Sequence, residues 1–113
     1  MSKHSCIPMT KYHQELILAG KKTTTLRAKR FEPGVYRMFS RGAGSLGYLR
    51  VADIADDQII PASYPKRDLL SLANFEGYDT IEAFMAVFSK LRLSPDKAYW
   101  LHLIEPCEVA SDE

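Results

Sequence analysis

The sequence predicts a single α+β domain. Three observations carry this: apolar positions recur at helical spacing in two stretches, short β-branched or aromatic runs alternate in four others, and turn residues separate them. The 113 residues, 46% hydrophobic and 26% charged, fit one core. A domain of this size buries roughly two-thirds of the surface of its unfolded chain, so it needs no metal or disulfide staple.

Thr10 caps a first helix that runs to about Ala19, with Tyr12, Leu16 and Ala19 on one side and Gly20 as its left-handed terminator. Thr23 to Arg27 is β-branched and alternates. Thr23, Thr25 and Arg27 share one face, turned outward or into a groove, while Thr24 and Leu26 share the core face. Pro33-Gly34 marks a turn, after which Val35 to Ser40 and Leu46 to Ile54 form a hairpin with a glycine-rich connection. A short helix is expected over Arg67 to Ala73. A longer one follows over Thr80 to Leu91, with Ile81, Phe84, Met85 and Phe88 as its core stripe and Asp79 with Glu82 as a capping box. Ala98 to Ile104 reads as the last strand, and the polar end from Glu108 to Glu113 as a frayed tail.

The formal charge of +1 hides an asymmetry: residues 21–50 hold eight basic side chains against Glu32 and are net +7, while the rest is net −6. Such a segment suits an anionic ligand, and solvated strand residues are the plain alternative. Cys6 and Cys107 lack CxxC spacing, and His4, His13 and His102 do not cluster, so a metal site is not expected. Both cysteines are expected as reduced core residues, with a bridge between terminal strands as the alternative. The first nine residues are too short and polar for a signal peptide, and no apolar run approaches the roughly 20 residues of a membrane span. A cytoplasmic protein without a cofactor is the expectation.

Gly42-Ala43-Gly44-Ser45-Leu46-Gly47 matches GxGxxG literally. A strand rather than a helix follows it, which excludes a dinucleotide fingerprint. The loop, flanked by Arg41 and Arg50, remains a candidate phosphate contact.

Gly20-Lys21-Lys22-Thr23-Thr24-Thr25-Leu26-Arg27 is the most informative segment. It places two amines at a helix-to-strand turn, followed by hydroxyls and a guanidinium on one strand. Lys22 and Thr25 can cooperate only if Lys22 lies in the turn before the strand begins. A partly dry site would lower the pKa of Lys22 and let its amine act as a base toward a threonine hydroxyl; a solvated turn is the structural alternative. Glu76 lies in a turn between two expected helices, where a carboxylate can be aimed inward. Tyr48, Tyr78 and Tyr99 are candidate stacking rings, or part of the packing.

Ile17 to Arg27 resembles the GxKxTxxR signature that opens ASCH domains. Ala73-Asn74-Phe75-Glu76-Gly77-Tyr78-Asp79-Thr80-Ile81-Glu82-Ala83-Phe84 resembles the family's second signature. The resemblance spans about Met9 to Glu105 and implies a small PUA-like β-barrel of five or six strands, flanked by two or three helices. It also implies a cleft for RNA or a modified nucleoside. Within the family, small amidohydrolases acting on N4-acetylcytidine use a lysine, a threonine and a glutamate. These correspond to Lys22, Thr25 and Glu76. Thr25 would attack the acyl carbonyl, Lys22 would activate it, and Glu76 would handle the proton passed to the leaving amine. Arg27, Lys21, Arg41 and Tyr78 are the expected substrate contacts. The alternatives are an RNA-binding module without chemistry and, with no histidine pair in view, a ribonuclease.

Overall fold

The computed structural model describes residues 5–108 of the chain. Five strands, β1 (Ser5–Pro8), β2 (Thr24–Arg27), β3 (Gly34–Phe39), β4 (Tyr48–Ile54) and β5 (Trp100–Cys107), form one sheet in the order β1-β3-β4-β5-β2. The β1–β3 pair is parallel and the others are antiparallel. The sheet curls into a half-barrel, and the α+β architecture expected from the sequence is the one found. A register shift between Val51 and Asp53 bends β4 along β5, as bulges do in curled sheets.

Three helices accompany the sheet: α1 (Lys11–Leu18), α2 (Lys66–Phe75) and α3 (Ile81–Lys90). Apolar residues gather in two clusters. Ile17 of α1 joins Ile7, Met38, Leu49, Val51 and Ile104 of the sheet in one. Leu69 and Leu72 of α2, Phe84 and Phe88 of α3, and Ile59 and Tyr99 make the other. His102 is fully buried; its Nε2 accepts from Phe31 N at 2.9 Å, which leaves Nδ1 to donate to Thr25 O at 3.2 Å. Burial holds its pKa below the usual histidine value.

Several expectations need correction. The strand β1 pairs with β3, although four residues give too little alternation to announce it. The α3 cap is Thr80, whose Oγ1 accepts from Ala83 N at 3.0 Å, one residue after the expected Asp79. The last strand runs on to Cys107. Both cysteines are free, but Cys6 is exposed and Cys107 half-buried, so neither belongs to the core. Cys6 aligns with Arg37, Arg37 with Tyr48, and Tyr48 with Cys107. Three strand spacings, roughly 14 Å, separate them, beyond the roughly 7 Å a disulfide spans. The expected frayed tail falls, apart from Glu108, outside the described residues.

Candidate functional site

Two helix ends meet to make the site. Helix α1 stops at Gly20, whose φ of +77° suits a residue without a side chain. Leu16 O there accepts from both Lys21 N (2.9 Å) and Lys22 N (3.2 Å). Helix α2 stops the same way: Gly77 takes φ +98°, and Ala73 O accepts from Tyr78 N at 2.9 Å. These are glycine-terminated caps, and they fix the backbone of Lys22 and Glu76 respectively. Phe75 O accepts from Thr23 N at 2.8 Å, tying the end of α2 to the start of β2, which is an edge strand. A Cβ at Gly77 would lie 2.8 Å from Leu16 Cδ1 and 3.5 Å from Lys22 Cβ, so any larger residue at 77 must shift the Leu16 side chain where the two turns meet.

The result is a buried polar cluster. Lys22 (3% exposed), Thr24 (2%), Thr25 (3%) and Glu76 (5%) are shielded together. Lys22 Nζ donates to Glu76 Oε1 at 3.0 Å and to Glu76 O at 3.4 Å. Thr24 Oγ1 donates to Glu76 Oε2, so each carboxylate oxygen has its own donor. Thr25 Oγ1 accepts from Arg27 Nε at 3.1 Å, and the guanidinium also reaches Met9 Sδ at 3.3 Å.

Burial is the largest influence on Lys22 and lowers its pKa; Glu76 opposes this, and Arg27 adds to it. Burial likewise brings Arg27 down to about 10, against the pull of Glu76, which leaves it charged at neutral pH. His13 Nε2 lies 2.8 Å from the Tyr78 hydroxyl. Burial first, then Glu76 and Tyr12, raise the Tyr78 pKa, so the phenol keeps its proton and donates it to His13. Burial, with Lys22 and Arg27 nearby, lowers His13 to about 4. Its Nδ1 is the buried side-chain polar atom left without a hydrogen-bond partner among the described residues.

Lys22, Thr25, Arg27, Glu76, His13 and Tyr78 line a cavity of about 250 Å³. Lys22, Thr25, Arg27 and Glu76 form its polar end, and apolar side chains including Met9, Phe84, Phe88 and Leu93 form much of the rest. An amine, a hydroxyl, a carboxylate and a guanidinium around one small space can exchange a proton and stabilise an oxyanion. Among the described residues no three His, Cys, Asp or Glu side chains gather as a metal site would require.

The structure therefore brings Lys22, Thr25, Arg27, Glu76 and Tyr78 together and places Lys22 ahead of β2, as cooperation with Thr25 requires. Lys21 and Arg41 are exposed and do not line this cavity. Of the basic segment, Arg30 pairs with Glu32 and Arg50 with Glu105. Tyr99 is buried and Tyr48 half-buried. Three contributors were not singled out from sequence. Strand alternation assigned Thr24 to the core face with Leu26, yet its hydroxyl holds Glu76. His13 gave no signal. Gln14, fully buried in α1, holds the glycine-rich loop by donating to Gly44 O (3.2 Å) and accepting from Leu46 N (2.7 Å).

No family model and no curated protein matches the chain. Solved structures do. Protein EF3133 of Enterococcus faecalis V583, of the DUF984 family, is 14% identical over 98% of this chain and 85% of its own, with a TM-score of 0.65. Hypothetical protein PH0355 is 18% identical over 88% of this chain and 95% of its own, with a TM-score of 0.58. A tyrosine-to-phenylalanine mutant of ZmASCH from Zymomonas mobilis is 16% identical over 98% of this chain and 78% of its own, with a TM-score of 0.60. The shared property is the ASCH-like, PUA-like fold.

Proposed function

We propose that this ASCH-fold chain is an amidohydrolase acting on N4-acetylcytidine or a related N-acylated nucleoside. The observation that carries the reading is the buried Lys22–Glu76 pair, 3.0 Å apart, at the polar end of a cavity that Thr25 and Arg27 also line. A lysine whose pKa burial has lowered supplies a neutral amine at a lower pH than a solvated one. In this reading the Lys22 amine takes the Thr25 proton as Thr25 Oγ1 bonds to the acyl carbon. Arg27, already donating to that hydroxyl, steadies the negative charge that develops. The tetrahedral adduct then collapses: the carbon–nitrogen bond breaks, and the leaving amine takes up a proton relayed from Lys22 through Glu76. Water attacks the acyl-Thr25 ester, releases the carboxylic acid and restores the hydroxyl.

Chromatography of cytidine released from N4-acetylcytidine tests this. Native protein is expected to release cytidine and folded Thr25→Val to release none. A native protein that releases none at high concentration sinks the substrate assignment.

The exposed basic side chains Lys29, Arg37 and Arg41 favour RNA binding without chemistry as the second reading. It predicts RNA affinity that falls steeply with salt and does not need Thr25. For a ribonuclease the support is weaker still, since both ring nitrogens of His102 are engaged in backbone hydrogen bonds.

A further inference from the structure

We propose that the site continues past the His13–Tyr78 pair into a second groove that receives the phosphate of the ligand, so that the substrate is a nucleoside phosphate rather than a free nucleoside. This rests on the nucleoside reading above and adds to it a ligand portion, a location and two residues.

The main cavity of about 250 Å³ falls below the roughly 300–1,000 Å³ usual for small-molecule sites. A ligand whose reacting amide sits on the polar end has little room left for a sugar and its substituents.

A groove of about 430 Å³ adjoins the cavity and shares Thr10, His13, Tyr78, Val87 and Leu91 with it. Those residues form the wall between the two spaces. Within it the His13–Tyr78 hydrogen bond of 2.8 Å links α1 to the turn before α3. Ala83 and Ala86 of α3 line the groove with small side chains.

The groove carries none of the reacting groups but has two of its own, Tyr12 and Lys90. Tyr12 is 56% exposed and stands edge-on to His13 with ring centroids 5.5 Å apart, which leaves its ring available to a neighbouring base. Lys90 is exposed and makes no ion pair among the described residues. An aromatic face and an unpaired amine lining one groove offer a base a stacking surface and its phosphate a cation. A free nucleotide uses the amine alone; a strand uses the amine and the ring.

The test compares four substrates with one chromatographic readout at low salt: N4-acetylcytidine, its 5′- and 3′-monophosphates, and a short RNA with one internal N4-acetylcytidine. Native protein is expected to convert at least one phosphorylated substrate with a KM roughly fivefold below that of the nucleoside. Lys90→Gln is expected to abolish that advantage without changing turnover of the nucleoside, and Lys90→Arg to restore it. RNA favoured over the monophosphates, with a loss of roughly tenfold in Tyr12→Ala, identifies a strand as the source of the phosphate. Equal preference, with Tyr12→Ala unaffected, identifies a free nucleotide. Equal KM for all four substrates overturns the proposal and leaves the amidohydrolase reading standing, as does an advantage that survives in Lys90→Gln. Failure to convert any of the four overturns both.

Discussion

Glu76 is held from two sides by residues of different kinds, and this separates two threonines that sequence treats alike. Thr25 faces the cavity and bonds Arg27. Thr24 does not line the cavity, and its hydroxyl is directed at Glu76 Oε2. Thr24 is therefore a positioning residue. In Thr24→Val the carboxylate loses one donor while the cavity keeps its lining, so kcat should drop roughly tenfold or more with KM nearly unchanged, and Thr24→Ser should recover most of it. A KM rise that matches the kcat loss would place Thr24 in ligand binding instead. His13 gives a second prediction at this scale. Its folded pKa of about 4 lies below the unfolded 6.5, so the unfolded chain binds the extra proton first as pH falls. The stability due to neutral His13 is complete above about pH 6.5 and is lost as pH drops toward 4. Urea midpoints should therefore decline more between pH 7 and pH 4.5 for the native protein than for His13→Gln, and equal declines would contradict the assignment.

Elements explain what sequence made legible here and what it hid. The end of α1 at Gly20, the α3 stripe of Phe84 and Phe88, and the hairpin of β3 and β4 were readable because each rests on local spacing. Strand β1 was not, since it exists through pairing with β3, about thirty residues away. The separation of Lys22 from Glu76 by 54 positions likewise left their pairing to the fold; the resemblance suggested it, and the two glycine-ended helices bring it about. Gly77 tests that account. Alanine at Gly20 meets nothing within 4 Å and faces only an unfavourable φ, a cost of about 1–2 kcal/mol. Alanine at Gly77 meets the same backbone cost and must also displace Leu16 Cδ1 from 2.8 Å. Thermal unfolding should show Gly77→Ala as the more destabilised of the two, with the larger loss of activity. Equal melting temperatures would mean that the turns are not locked against each other.

Across the whole molecule, the half-barrel supplies the edge strand β2, the helix ends supply Lys22 and Glu76, and two apolar clusters pack the sheet and helices together. Burial is what makes an amine and a carboxylate useful here, and it has a cost. A buried ion pair contributes little net stability, while removing one partner costs about 3–5 kcal/mol. The fold therefore carries Lys22 and Glu76 as a unit, and any variant of one must be checked for folding before its activity is read. The decisive measurement is cytidine release from N4-acetylcytidine across pH, by native protein and by Lys22→Ala matched for folded fraction. The account predicts native release whose rate climbs with pH along a limb below the ordinary lysine range, as the Lys22 amine loses its proton, and no release from the variant. Undiminished release from folded Lys22→Ala, or none from the native protein at any pH, would contradict it.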